Sequence, residues 1–451
     1  MPDSKNTSAI SDHETDRLKN IASDILLEAK KQGADQAEAA ISVGRGLSVN
    51  VRLGDVETIE QHRDQGIGIT VYKGKKKGSA SSTKLDPSSI KEMVSAAYAI
   101  AQYAEEDPFS GLPEADQLAT NFPDLSLHHP WVLNTEEAIE RAVACENAAR
   151  FYDKRISNSE GASIQTFEGT RVLANSLGFN HGYPASRHSM SCSVIGEQDG
   201  SMQRDYWYTT ARKASDMEGP VTVGEKASER TVRRLGAKSI NTRKCSVMFA
   251  AEVSSGLIGH FISAIRGGNL YRKSSFLLDS LGQQIFPSFV NIYEQPLLPQ
   301  AMGSAAYDSE GVATSARDIV SDGVVQGYVL GSYSARKLGL KSTANAGGVH
   351  NLTVEPGNLD FNGMLKEMHT GLLVTELIGQ GVNTMTGDYS RGAAGYWVEN
   401  GEIQFPVEEV TIAGNLKDIY QAIVAVGNDV DLRGNTRTGS ILIEQMTLAG
   451  C

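Results

Sequence analysis

The sequence predicts an α+β chain of two domains, and three observations carry that prediction. Apolar residues recur with a helical period over 14–32, 86–104, 134–152 and 223–235. Between those stretches lie segments that alternate apolar and polar, bounded by Gly, Asn and Ser. That pattern gives antiparallel pairs rather than βαβ units. From about residue 240 the chain changes to short strands and Gly-rich turns, with one apolar helix near 251–265. The expected units are an N-terminal mixed domain, 1–238, with an antiparallel sheet and helices, and a C-terminal mostly antiparallel β domain, 239–451. The boundary is placed at 235–243, where a basic helix ends and Gly236 and Asn241 interrupt.

Residues 1–12 read as a frayed tail. The helix over 14–32 carries Leu18, Ile21, Ala22, Ile25, Leu26 and Ala29 on one stripe, with Gly33 as its left-handed terminator. Strands follow over 38–43, 47–53, 56–61 and 66–72. The second alternates strictly, and Gly54-Asp55 is the turn after it. The run Lys73-Gly74-Lys75-Lys76-Lys77-Gly78 reads as a hairpin turn rather than a nucleic-acid patch. Asp86 caps a helix with Pro87 at its first position. Prolines 108, 113, 123 and 130 mark a connector, in which His128-His129 are expected on the surface. Asn134 caps the third helix, with Glu137 as capping-box partner. Further strands fall near 156, 164–166, 170–174, 188–195 and 204–211, and Tyr206-Trp207-Tyr208 reads as sheet packing. In the second half, 416–426 reads as a helix.

Composition excludes several classes. The chain has 451 residues, a net charge of −12 and 40% apolar residues, too apolar for disorder and long enough for a full core. The acidity argues against duplex nucleic acid as main partner, because phosphate binding needs concentrated Lys and Arg. Cys145, Cys192, Cys245 and Cys451 are scattered, with no CxxC pair, which fits a reducing cytoplasm. The N-terminus has no apolar signal core, and no run approaches the ~18 apolar residues of a membrane span. A cytoplasmic location without membrane or nucleic-acid partners is the expectation.

Motifs of common chemistries fail. Gly219 to Lys226 resembles a phosphate loop, but Glu225 precedes the lysine and Ala227 follows it, so the segment reads as a helix start. Gly66-Ile67-Gly68 lacks the third glycine of a dinucleotide turn. There is no GxSxG and no HExxH. Glu252 and Glu376 are the carboxylates to watch in the second half, without an assigned role.

Several longer blocks carry a resemblance. They are Tyr271-Arg272-Lys273-Ser274-Ser275-Phe276-Leu277-Leu278-Asp279-Ser280-Leu281-Gly282, Asp308-Ser309-Glu310-Gly311, Ser332-Tyr333-Ser334-Ala335-Arg336-Lys337-Leu338-Gly339 and Gly387-Asp388-Tyr389-Ser390-Arg391-Gly392-Ala393-Ala394-Gly395. With 66–72 and 77–83, they make nearly the whole chain resemble PmbA/TldE subunits of the TldD/PmbA peptidase family. The resemblance implies a TldD–TldE heterodimeric metalloprotease that processes or degrades small flexible peptides in the cytoplasm. In TldD-type chains an HExxxH helix and a later Cys hold zinc, and the Glu activates the metal-bound water. The matching stretch here is Ser255-Gly256-Leu257-Ile258-Gly259-His260, which keeps only the second His. The Cys position falls near Thr438-Gly439-Ser440.

The resemblance therefore implies no catalytic residue and no metal ligand set in this chain, with zinc expected in the TldD-like subunit. A homodimer is expected to be possible when the chain is isolated. His260 reads either as a core histidine on a helix face or as a residue lining a peptide cleft. Asp388, Tyr389 and Arg391 read either as a turn with a surface ion pair or as contacts to an extended peptide or the partner. Gly256 and Gly259, and likewise Gly392 and Gly395, are expected to let another backbone approach. Two alternatives stay open: a self-sufficient hydrolase, and a non-enzymatic modulator protein linked to gyrase or an antitoxin.

Overall fold

The computed structural model describes residues 4–450, with side chains from His13 onward. The architecture is α+β, as expected. The first half runs α1 (Ser4–Lys31), β1 (Gln36–Arg52), β2 (Asp55–Lys73), β3 (Lys76–Ser82), α2 (Pro87–Tyr103), α3 (Thr135–Arg150), β4 (Ile156–Asn175), β5 (Asn180–Gln198), β6 (Ser201–Ala211) and α4 (Pro220–Arg234). The expected tail over 1–12 lies partly outside the described residues, and from Ser4 the chain is already helical.

These strands form one antiparallel sheet in the order β3-β2-β1-β4-β5-β6. Four strands expected over 38–72 are in fact two long ones. Gly44 and Gly46 fall between two of the expected strands, yet they lie inside β1, where neighbouring rings occupy the space above them. A Cβ on Gly46 would sit 2.5 Å from the His62 ring and from the Thr166 carbonyl, and one on Gly44 would sit 2.7 Å from the Phe167 ring. The odd-numbered residues of β1 face the helices throughout. Ala37, Ala39 and Ile41 pack under α1 and α2, while Leu47, Val49 and Val51 pack under α3 and α4. Both helix pairs thus share one face, side by side along the strands.

The caps form largely as the sequence implies. Asp86 accepts from the Ser89 amide at 3.0 Å and Asn134 from the Glu137 amide at 2.7 Å. Glu137 does not complete a capping box, since its carboxylate holds Arg141 at 2.9 Å. Gly219 and Pro220 open α4, so the phosphate-loop look-alike is a helix start. His128 and His129 are half-buried rather than on the surface: His128 meets Glu168 at 3.2 Å, and His129 meets the Ser126 hydroxyl at 3.0 Å.

The second half runs β7 (Arg243–Phe249), α5 (Ala251–Ala264), α6 (Gly267–Tyr271), β8 (Ile292–Glu294), β9 (Arg317–Ser321), β10 (Val324–Val325), α7 (Ser332–Leu338), β11 (Leu352–Val354), α8 (Phe361–Met368), β12 (Gly371–Ile378), β13 (Asp388–Glu399), β14 (Glu402–Asn415), α9 (Leu416–Gln421), β15 (Ile423–Val426), β16 (Thr436–Arg437) and β17 (Ile441–Ala449). Its larger sheet has the order β14-β13-β12-β7-β17-β15, and β14 also pairs with β17. Strands β7, β12, β13, β14 and β17 therefore close on themselves. All their pairings are antiparallel except β7 with β12. The expected helix over 416–426 stops at Gln421, because Ile423–Val426 is β-rich in character and pairs with β17. Helix α5 inserts Leu257, Ile258, Phe261 and Ala264 into the main core of this half. No helix among the described residues is long and apolar enough to cross a membrane.

Candidate functional site

Helix α5 follows β7 after a single residue, Ala250. Its buried face, Ala251, Ser254, Leu257, Ile258, Phe261 and Ala264, recurs at helical spacing and fixes its rotation. Phe261 packs edge-on against Phe286 at 4.9 Å and Tyr420 at 6.0 Å. Tyr420 is fully buried and donates from its hydroxyl to the Leu257 carbonyl at 3.1 Å. The segment 438–440 lies beside the start of the helix, where the Ser254 hydroxyl donates to the Gly439 carbonyl at 2.8 Å.

The rotation leaves Ser255, Gly256, Gly259 and His260 on the other face. A Cβ on Gly256 or Gly259 would meet nothing within 4 Å. These glycines therefore border open space rather than admitting another backbone of this chain, contrary to the sequence expectation. His260 is half-buried, and its ring lies edge-on to Tyr389 with centroids 5.9 Å apart. Its Nε2 is buried and has no hydrogen-bond partner. Burial, and then the nearby Arg391 cation, push its pKa down, which favours the neutral imidazole.

Strand β13 brings Tyr389 and Arg391 to the same face, while Asp388 alternates to the other. Tyr389 is 2% exposed, and burial pushes its hydroxyl up to about 12 although Arg391 opposes the shift. Arg391 is partly buried, and its Nε has no acceptor. Asp388 is exposed and accepts from the Thr386 hydroxyl at 2.6 Å and the Asn415 amide at 3.4 Å. The surface ion pair considered between Asp388 and Arg391 is therefore not formed. His260, Tyr389 and Arg391 come together, and Asp388 stands apart from them. Gly395 serves the chain's own sheet, since a Cβ there would lie 1.8 Å from the Leu373 carbonyl. Gly392 lies against Ile378 in the same way, at 3.3 Å. Neither is free to admit a peptide strand.

This donor set does not suit zinc. One imidazole faces a guanidinium, which repels a dication. Thr438 donates to the Gly439 carbonyl at 3.1 Å, and the Ser440 hydroxyl is taken by Asp429 at 2.6 Å. Among the described residues, no group of three or more His, Cys, Asp or Glu is placed to hold a metal ion. Tyr420 and Ser254, which fix the helix, gave no signal beyond ordinary core and helix residues in the sequence.

The two watched carboxylates lie in a joint with α4, Glu252 one turn before Gly256 on the same open face of α5 and Glu376 on β12. Glu252 accepts from Arg230 at 2.6 Å, and Glu376 pairs with Arg234 at 2.6 Å. Asp205 of β6 sits between them, 3.3 Å from Arg230 and 3.6 Å from Arg234. Trp207 is packed under this joint, with Arg230 and Arg433 over its ring at 5.3 and 4.3 Å. Trp207 and Tyr208 of the aromatic run are thus packed, while Tyr206 is 49% exposed. The blocks at 308–311 and 332–339 are also structural. Tyr333 donates to Asp107 at 2.6 Å, Lys337 pairs with Asp107 at 3.7 Å, and Arg336 donates to the Phe109 and Gly111 carbonyls at 3.1 Å. They clamp the proline-containing connector.

Family profiles cover most of the chain. The PmbA/TldA metallopeptidase domain 1 matches residues 37–101, the central domain 128–235 and the C-terminal domain 242–450. The metalloprotease PmbA of Escherichia coli O157:H7 is 52% identical over 94% of this chain and 94% of its own length. The chain belongs to the PmbA/TldD metallopeptidase family. As a member of that family it also matches solved structures along almost its full length. A Bacteroides thetaiotaomicron protein, named as a candidate modulator of DNA gyrase, superposes with a TM-score of 0.92 at 28% identity, covering 97% of this chain and 99% of that one. TldE from Thermococcus kodakarensis shares the fold, with a TM-score of 0.84 at 20% identity over 95% of this chain and 100% of that one.

Proposed function

We propose that this chain is the TldE-type, zinc-free subunit of a cytoplasmic heterodimeric metallopeptidase. In this reading a TldD-like partner supplies zinc and the water-activating glutamate, and this chain helps hold small flexible peptides beside α5. The observation that carries the reading is the composition of the open α5 face. Where a metal site would need two imidazoles, a thiolate and a base, it offers Ser255, Gly256 and His260, with Arg391 adjacent. The purified chain should contain no stoichiometric zinc and show no chelator-sensitive peptide cleavage. Adding a TldD-like chain should produce both. Stoichiometric zinc with chelator-sensitive cleavage from this chain alone would overturn the reading.

The open glycine face gives a second expected result. Gly256→Ala with Gly259→Ala should stabilise the helix by up to ~1 kcal/mol per site, because the new methyl groups meet no neighbour. Peptide cleavage by the heterodimer should nevertheless fall, since the methyls narrow the path of the peptide. A melting temperature that rises with unchanged turnover would mean that peptides do not pass over α5.

The name carried by the Bacteroides relative motivates a second reading, a protein-binding modulator of gyrase. The net charge of −12 disfavours DNA contact and leaves protein contact open. Affinity capture that recovers a TldD-like chain rather than gyrase as main partner selects the first reading.

A further inference from the structure

We propose that Arg391 and His260 form a subsite that binds a carboxylate of the bound peptide, either its C-terminal carboxylate or an acidic side chain. The inference rests on the peptide-holding reading above. Its first support is an unmatched cation. Arg317, Arg336 and Arg433 are also partly buried, and each holds a carboxylate, at 2.7, 3.1 and 2.8 Å. Among the described residues no carboxylate lies within 4 Å of Arg391, and its Nε is buried without any acceptor. The carboxylate nearest in sequence, Asp388, is turned to the opposite face and held by Thr386 and Asn415. A buried guanidinium N–H without an acceptor costs stability, so an anion supplied from outside would relieve it.

The second support is independent of the first. His260 Nε2 is likewise buried and without a partner. With its hydrogen on that nitrogen, the imidazole is a second donor beside the guanidinium. Tyr389, packed edge-on to the imidazole, fixes the ring, and open space lies over Gly256 and Gly259 on the same helix face; both nitrogens are covered in the ligand-free chain, so the His260 and Arg391 side chains must part to admit the carboxylate. The cluster thus offers donors and positive charge, and the carboxylate on the same helix face, Glu252, is two turns from His260 and held by Arg230 at 2.6 Å. That chemistry selects a carboxylate.

The test is fluorescence anisotropy with three labelled probes: penta-alanine as the free acid, penta-alanine as the C-terminal amide, and the amide with a central Glu. It is run on the full chain alone and together with a TldD-type chain kept inactive by a chelator. The free acid, the Glu-containing amide or both should bind about 10-fold or more tighter than the plain amide, because a charge-assisted pair is lost in the latter. A preference for the free acid only assigns the terminal carboxylate, and tighter binding of the Glu probe assigns a side chain. Arg391→Gln should bring the preferred probe down to the amide's affinity while leaving the amide itself unchanged, and Arg391→Lys should keep part of the preference. Equal binding of all three probes overturns the subsite and leaves the peptide-holding reading standing. A loss in Arg391→Gln that is the same for all probes also overturns it, since that marks a structural role. No binding of any probe overturns both.

Discussion

Replacing Glu38 by Gln should stabilise the protein by about 2–3 kcal/mol at pH 8 and change little at pH 4. Glu38 lies on β1 where the first sheet meets the loop at 308–312. Burial and the charge of Glu310 raise its pKa to about 7, with Lys77 opposing and Asp308 adding to the rise. Asp308 itself is raised to about 6 by burial, even though it accepts from the amides of Ala346 and Glu310 at 2.9 Å. A carboxyl raised in the folded state binds its proton more tightly there than in the unfolded chain. The folded state is therefore favoured below the unfolded values, 4.5 for Glu38 and 3.8 for Asp308. It loses that advantage as pH rises through the window to about 7 and 6 respectively. A shift of this size corresponds to ~3 kcal/mol at most. Urea titrations at pH 4, 6 and 8 should show wild-type stability falling across the window and a flatter profile for Glu38→Gln. An equal response to pH in both proteins would show that Glu38 does not carry the effect.

The sequence exposed what depends on local pattern. The stripe Leu18, Ala22, Ile25 and Ala29 is fully buried, and the Asp86 and Asn134 caps form, because each signal is written within a few residues. What it hid depends on distant partners. Gly44 and Gly46 fall between two expected strands, and what makes that stretch continuous, Phe167 and His62 lying over them, comes from elsewhere in the chain. Gly256 and Gly259 suggested close approach, but whether a glycine borders a backbone or a void is decided by segments far away in the chain. The site was half legible: His260, Tyr389 and Arg391 converge, while the alternation of β13 sends Asp388 away. Glu252 and Glu376 stood out as carboxylates, yet their role comes from Arg230 and Arg234 on α4, before the strand that starts the second sheet.

Arg230→Ala should destabilise the protein by about 3 kcal/mol and weaken the seating of α5. Arg230 donates to Glu252 on α5 at 2.6 Å, lies 3.3 Å from Asp205 and covers the Trp207 ring at 5.3 Å. In the wild type, two guanidiniums face three carboxylates: Arg230 and Arg234 against Asp205, Glu252 and Glu376. Removing Arg230 leaves Arg234 alone against all three, with Asp205 only 6% exposed. Breaking such a pair from one side costs more than the pair contributes, because the remaining charge stays desolvated. The aliphatic packing on Trp207 is lost as well. A double-mutant cycle with Glu252→Gln separates the two parts: the pair should cost clearly less than the sum of the single changes. Additive losses would show that Arg230 acts through Trp207 and Asp205 rather than by holding α5. Because Glu252 stands in the first turn of the helix that carries His260, one turn before Gly256 on the same face, a real coupling should also lower peptide affinity at the open face.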